Sequence, residues 1–272
     1  DGEVEELTLR DYLWGVVAAE MPASFHTEAL KAQAVCARTY CVHQRTLAPD
    51  KHPQADVCGD YTCCQAYLTP DQAMANWGEE ARRYADKIDA ALDATDGLFC
   101  LYDGAPIDAL FFSSSAGRTV DAQAVWGAAV PYLTAVDSPE GEEVPGWNTV
   151  VTFTDDELQQ QVTTLRADIK LSGDPETWLG EPEADDTGLV LRLTVGDTEL
   201  TGREARALFG LRSARFTVER EEGSFSFHVL GYGHAVGMSQ YGANALAGQG
   251  KGFAEILSWY YTGITVGSYE AP

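Results

Sequence analysis

From Tyr12 to Pro22 the chain reads Tyr-Leu-Trp-Gly-Val-Val-Ala-Ala-Glu-Met-Pro, an apolar run at helical spacing that ends on one carboxylate and is broken by a proline. The pattern predicts a short helix over 8–19 and a break at Met21-Pro22-Ala23-Ser24. Thr27 is placed to cap a second helix over about 28–46, with Glu28 in its first turn. Its residues, from Ala29 through Cys41, are small and apolar nearly all round, the mark of a buried helix. Lys31, Arg38 and Arg45 recur every seven residues and so fall on nearly one face. Residues 48–68 hold prolines, Gly59 and three cysteines and read as loop. A helix with its charges on one side follows over 71–95. Two strands, 98–102 and 107–112, are then joined by the turn Asp103-Gly104-Ala105-Pro106, and the polar loop Ser113-Ser114-Ser115-Ala116-Gly117 comes directly after.

The texture changes between 148 and 226. Alternation over 149–153 predicts a strand and 155–165 a helix, and strands over 189–195 and 215–219 flank a helical stretch at 201–208. This strand–helix–strand–helix–strand succession reads as a smaller βαβ-like subdomain inserted into the rest. The expected organisation is therefore a core of residues 1–147 and 227–272 with 148–226 inserted. The expected class is α+β, mixed helices and short strands, with a cleft between the lobes. After Phe225-Ser226-Phe227-His228-Val229 comes a glycine-rich loop, then helical segments to residue 261.

Composition narrows the possible functions. A chain of 272 residues, 45% hydrophobic, can bury one large core or two small ones. A net charge of −24, from 42 acidic and 18 basic residues, lacks the basic footprint that nucleic-acid binding needs. Acidic residues crowd 139–143 and 181–186, which read as solvated faces. No run of 18 apolar residues occurs, and the chain opens on Asp without a secretory pattern. That opening suggests an excised ectodomain whose targeting segment has been removed.

Four groups of residues carry candidate chemistry. Glu20, at the end of the apolar run, is either a carboxyl partly withdrawn from water, able to pass a proton to a leaving group, or a helix-end acid that reaches solvent. The loop from Gly231 to Gly242 presents His234, Ser239, Gln240 and Tyr241, but its glycine spacing fits neither a dinucleotide fingerprint nor a nucleophile elbow. It is either a ligand-approaching loop or a structural turn with His234 in the core. His52, Cys58, Cys63 and Cys64 form a dense set of soft ligands, read as a four-coordinate zinc site, as a disulfide between Cys58 and one of its neighbours, or as free thiols. Cys36, Cys41 and Cys100 read as buried small hydrophobes. Lys31, Arg38 and Arg118 sit in apolar or small-residue settings, where each either meets an anionic substrate or pairs with a local acid.

Three blocks of this sequence resemble the stage II sporulation protein D (SpoIID) family, whose domain is shared with amidase enhancers. The first is Tyr12 through Phe25, running into Glu28-Ala29-Leu30-Lys31-Ala32-Gln33-Ala34-Val35 and Ala37-Arg38-Thr39-Tyr40. The second is Ser113 through Thr119 with Val125-Trp126-Gly127 and Pro131-Tyr132-Leu133. The third is Gly233 through Ala243 with Ile256-Leu257 and Tyr260-Tyr261. The resemblance implies a lytic transglycosylase that cleaves denuded peptidoglycan strands, between N-acetylmuramic acid and N-acetylglucosamine, to 1,6-anhydro ends during endospore engulfment. It implies Glu20 as the catalytic acid, and extracytoplasmic location with an N-terminal membrane tether. It also implies partnership with the sporulation amidase that removes stem peptides and with a membrane component of the engulfment complex. Lys31, Arg38, Ser114, His234, Ser239, Gln240 and Tyr241 would then contact substrate. Some members carry zinc on a His-x5-Cys-x4-His-Cys pattern, which His52, Cys58 and Cys64 match, with Cys63 where a His is usual. A single embedded acid suits a transglycosylase, whose nucleophile is the muramoyl 6-hydroxyl, whereas hydrolysis normally uses two carboxylates. The competing reading is a non-catalytic glycan-binding enhancer of an amidase. A zinc hydrolase fits poorly, because a thiolate-rich set leaves no open position for water.

Overall fold

A computed structural model describes residues 4–47 and 51–270; residues 48–50 of the expected 48–68 loop lie outside the described residues. In chain order the elements begin with α1 (Leu9–Glu20), α2 (Thr27–Leu47), α3 (Pro70–Trp77), α4 (Ala81–Ala94), β1 (Leu98–Tyr102), β2 (Ala105–Pro106), β3 (Phe111–Phe112) and α5 (Ala122–Trp126). They continue with β4 (Asn148–Thr154), α6 (Asp155–Leu165), β5 (Glu183–Ala184), β6 (Val190–Val195), β7 (Thr198–Thr201), α7 (Gly202–Leu208), β8 (Phe216–Glu221) and β9 (Ser224–Leu230). The last are β10 (Met238–Ser239), α8 (Gln240–Gly248), α9 (Phe253–Tyr260) and β11 (Thr265–Ser268). The class is α+β, as the hydrophobic patterning predicts.

The chain divides into two compact units, Asp1–Phe111 with Gly242–Pro272, and Phe112–Tyr241. The second unit holds all of 148–226 and adds the flanks 112–147 and 227–241. Pairing explains that placement: β4 pairs along its whole length with β9, and Ser114 bridges to Tyr232.

In the first unit α2 is the central helix, touched by α1, α4, α9 and β1. Its residues from Ala32 to Cys41 are buried on every face, as their small apolar composition requires. A polar group inside it is spoken for by backbone: Thr39 Oγ1 donates to Val35 O (2.7 Å) and accepts from Cys100 N–H (3.0 Å), which fastens β1 to the helix. Cys36, Cys41 and Cys100 are buried as expected. The strands β11, β1 and β2 form an antiparallel sheet in that order. The β1–β2 turn is tighter than the four-residue turn expected. Asp103 and Gly104 both take positive φ (50° and 80°), the two-residue hairpin turn that Asp-Gly favours. The expected strand over 107–112 reduces to β3, with β2 formed inside the expected turn, and the expected helix over 71–95 is broken into α3 and α4. Gly78 (φ 56°) turns the chain there, donating its N–H to Met74 O.

In the second unit the inserted piece departs from a βαβ plan. A βαβ unit needs parallel strands, yet the sheets β4-β9-β8 and β5-β6-β7 are antiparallel throughout. The expected helix over 201–208 forms as α7, and the strand β7, next to β6 across a short turn, fills the stretch before it to which the pattern assigned no element. Each sheet delivers a strand into a helix through a capping box: Thr154 with Glu157 opens α6, and Thr201 with Glu204 opens α7. The core between them is aromatic and aliphatic. Phe209 and Phe227 have ring centroids 4.6 Å apart, and Leu158, Leu193 and Phe225 are fully buried around them. Each such side chain contributes about 1.5–3 kcal/mol on burial.

Candidate active site and metal centre

Glu20 is the last residue of α1, and the sequence sets that position. Pro22 disfavours helical backbone at the residue before it, and Met21 is extended (φ −123°, ψ 134°). At the other end Thr8 caps the helix by accepting Asp11 N–H (3.1 Å). The Glu20 side chain is half-buried, and its Oε1 accepts the backbone N–H of Ala66 at 2.6 Å. That contact fixes the carboxyl while allowing either protonation state, because the oxygen accepts in both. Beyond the break, Lys87 on α4 donates its ammonium to the carbonyls of Ala23 (3.1 Å) and Phe25, tying down the loop that follows Glu20. Burial pulls the Lys87 pKa below its ordinary value. Lys87 escaped the sequence reading, since nothing in a charged helix face marks one lysine for a loop more than 60 residues earlier in the chain.

Ala66 belongs to a segment that lies along α1. Leu68 N–H donates to Gly15 O (3.2 Å), and Gln65 donates to the Tyr12 hydroxyl (3.2 Å). Gly15 has to be glycine: a Cβ there would lie 2.2 Å from Tyr67 Cε2 and 2.6 Å from Leu68 O. The intrinsic helix preference for Ala over Gly, about 1 kcal/mol, is smaller than that clash.

Directly before this segment stand His52, Cys58, Cys63 and Cys64, their ligand atoms all within 4.8 Å of one another. Asp60 shapes the return of the chain: its carboxylate accepts Thr62 N–H (2.8 Å), and its carbonyl accepts from Cys63 and Cys64. His52 Nε2 is 3.2 Å from Cys64 Sγ and 3.6 Å from Cys63 Sγ. A tetrahedral zinc with bonds of about 2.0–2.3 Å spaces its ligand atoms roughly 3.5–3.8 Å apart, so one nitrogen and three sulfurs at these separations fit the ion. None of the described cysteines is in a disulfide.

Of the three basic residues, Lys31 and Arg118 follow the ion-pair alternative and Arg38 serves backbone instead. Lys31 pairs with Glu28 (2.7 Å) and lies 5.9 Å from the Phe253 ring centroid. Arg38 is 3% exposed and donates to the carbonyls of Thr95 (2.8 Å) and Leu98 (3.1 Å), so it closes the end of α4 onto β1. A strand-contacting role for Arg38 gives way to a scaffold role: its Nη1 serves two backbone carbonyls and the residue is buried. Arg118 pairs with Asp137 (3.2 Å).

The remaining expected contacts belong to the second unit. Ser113 to Ser115 and the loop 231–241 lie side by side: Ser114 and Tyr232 exchange backbone hydrogen bonds, and Tyr241 N–H donates to Ser113 O (3.1 Å). The loop between is built on backbone few side chains permit. Ala235 takes φ 65°, and a Cβ on Gly233 would meet Phe112 Cβ at 2.7 Å. Of the polar residues expected to line a sugar groove, Ser114, Ser239 and Gln240 are 3%, 0% and 5% exposed, so they hold the loops from inside. The surface there is aromatic. His234 stands between Phe112 and Trp126, at 5.5 and 5.6 Å between ring centroids, and its Nδ1 accepts Val236 N–H (3.2 Å). Trp126 is 40% exposed; Tyr232 is also exposed and carries the Arg212 guanidinium 4.2 Å above its ring. Tyr241 is half-buried.

One acid overturns its reading. Glu140, in the acidic run taken for a solvated face, is 3% exposed. The first unit also holds a buried carboxyl, Asp108, pushed up in pKa chiefly by desolvation. Glu20 is therefore not the one embedded acid of the chain.

On this α+β frame the first unit holds a half-buried acid, Glu20, fixed by the backbone amide of Ala66 just after a Cys/His cluster, and the second unit holds a glycine-built aromatic loop. Comparison with known proteins makes the assignment particular. Residues 2–102 match the SpoIID family model, "Stage II sporulation protein". Stage II sporulation protein D of Bacillus amyloliquefaciens is 37% identical over 270 residues, covering 98% of this chain and 76% of that protein. Its counterpart in Bacillus subtilis is 36% identical over 270 residues, covering 98% and 77%. The amidase enhancer of Bacillus subtilis is 27% identical over 314 residues, covering 94% and 40%. The chain belongs to the stage II sporulation protein D family.

Proposed function

We propose that this protein processes the cell wall during sporulation as a lytic transglycosylase acting on denuded peptidoglycan, with Glu20 as its acid and base. The observation that carries the reading is the Glu20 carboxyl, half-buried at a proline-enforced helix end and oriented by Ala66 N–H at 2.6 Å. In the first step Glu20 protonates the glycosidic oxygen between N-acetylmuramic acid and N-acetylglucosamine as the C1–O bond breaks. In the second, the resulting carboxylate takes the proton of the muramoyl 6-hydroxyl while that oxygen bonds to C1. The product ends in a 1,6-anhydro ring and no water is consumed. The nucleophile is carried by the substrate, so orientation supplies much of the rate.

Zinc on His52, Cys58, Cys63 and Cys64 would hold the loop before Ala66; four protein ligands leave no place for an activated water. On the second unit we assign the sugar contacts to the exposed rings of Trp126 and Tyr232, with His234 and Tyr241. Apolar sugar faces stack on such rings without needing positive charge, which suits a protein of net charge −24. Lys31, half-buried, adds local positive charge for the muramoyl lactyl groups. An amidase that strips stem peptides would act before this enzyme, and the similarity to an amidase enhancer keeps that partnership in view. Replacement of Glu20 by Gln tests the reading: cleavage of denuded strands should fall at least about a thousandfold, with the fold and glycan affinity near wild type. Near-full activity in Glu20→Gln would remove the mechanism.

A further inference from the structure

We infer that Glu140 is a positioning residue for the glycan-binding loops of the second unit, an inference that rests on the glycan-cleaving function proposed above. Its carboxylate is buried, which costs several kcal/mol in lost hydration unless the oxygens are well served. They are served by three donors from three places in the chain. Ser115 N–H reaches Oε1 at 2.7 Å, the Ser138 hydroxyl reaches Oε2 at 2.5 Å, and the Ser239 hydroxyl also donates to Oε1. Ser115 belongs to the polar loop after β3 and Ser239 lies in β10, just past the aromatic loop that presents Tyr232 and His234. One carboxylate thus fastens both loops to each other and to the turn at Ser138.

Backbone bonds such as the Ser114–Tyr232 exchange join the same loops, and Glu140 adds side-chain anchors to them. Ser239 Oγ also contacts Ser113 O at 3.3 Å, and Trp147 Nε1 holds Ser115 O at 2.7 Å. The Arg215 guanidinium of the same unit is also buried, and its three nitrogens lack hydrogen-bond partners among the described residues. A buried carboxylate adds little net stability compared with apolar packing. Its use is to specify one arrangement, and the arrangement fixed here is that of the loops bearing Tyr232, His234 and Tyr241. Preorganised loops do not bear the ordering cost when a sugar binds, so the expected signature is in affinity rather than in the chemical step.

Two variants of the full chain test this, Glu140→Gln and Ser239→Ala, the second of which removes a donor without touching charge. Amide hydrogen exchange, read by mass spectrometry, should accelerate at least about tenfold in segments 113–119 and 231–241 of each, and stay at wild-type rates in α1 and α2. On denuded glycan strands KM and Kd should rise about tenfold with kcat within about threefold of wild type, and the double variant should be no worse than Glu140→Gln. Unchanged loop exchange, or a fall in kcat with KM intact, would overturn the inference. If wild-type protein neither binds nor cleaves the strands, the proposed function fails. The exchange pattern then decides the role of Glu140 alone: local acceleration upholds it and wild-type protection refutes it.

Discussion

Arg38 shows how one side chain's role changes once its partners are known. On the helix it looks like a charge set among alanines for an anionic substrate. In the fold it fills a buried position and holds two backbone carbonyls, those of Thr95 and Leu98. Those acceptors are 57 and 60 residues away, so no local pattern could announce them. Burial has also lowered its pKa, with Asp96 opposing the shift. Arg38→Met should therefore cost roughly 2–4 kcal/mol of stability, since it orphans two buried carbonyls, while glycan affinity in the folded fraction keeps its wild-type salt dependence. Denaturant unfolding together with a salt titration of binding separates this from a substrate role. Glu140 teaches the converse. In an acidic run it reads as solvated, and it takes serines 25 residues before it and 99 after it, together with nearby Ser138, to make its burial tolerable. Glu20 was legible because its cause is adjacent: Pro22 ends the helix there.

At the scale of elements, short-range patterns carried through and long-range ones did not. His52 and the three cysteines that could hold a metal fall within one loop, and their convergence follows from spacing and the Asp60 turn. The small-residue composition of α2 announced its burial. By contrast β11 is four residues long and pairs with β1 from the far end of the chain, so neither length nor periodicity betrays it. The antiparallel weave of the second unit was hidden for the same reason: strand direction is a property of pairing, not of composition. The nearness of the ligand loop to Ala66 leads to a prediction. Removing metal with a chelator, or replacing Cys64 by Ser, should lower Tm by several degrees, on the order of 1–2 kcal/mol. It should also speed hydrogen exchange at Ala66 and Leu68, because the segment that orients Glu20 begins two residues after the last ligand. Elemental analysis finding no zinc in protein purified under reducing conditions, or exchange at Ala66 indifferent to chelator, would contradict this.

The whole molecule carries a net charge of −24, and several of its acids do local work. Glu157 and Glu204 are held below the ordinary carboxylate range, first by the backbone N–H groups of Thr154 and Thr201 and then by their hydroxyls. A carboxyl whose folded pKa is depressed contributes stability above its unfolded pKa, about 4.3, and loses it as pH falls through the folded value. The urea midpoint of the second unit should thus drop between about pH 6 and pH 3, and the drop should be shallower in Glu157→Gln/Glu204→Gln. An equal drop in that double variant would show that the capping boxes do not contribute. Among the described residues no helix is long and apolar enough to cross a membrane.

The central claim is that one carboxyl, Glu20, breaks a glycosidic bond without water. The most direct measurement is a mass spectrum of the products released by the purified protein from denuded peptidoglycan. The account predicts muramoyl ends lighter by one water than the reducing sugar, the 1,6-anhydro form, and none from Glu20→Gln. Reducing ends bearing oxygen from labelled water would make the protein a hydrolase, and undegraded strands recovered bound to it would make it a binding module.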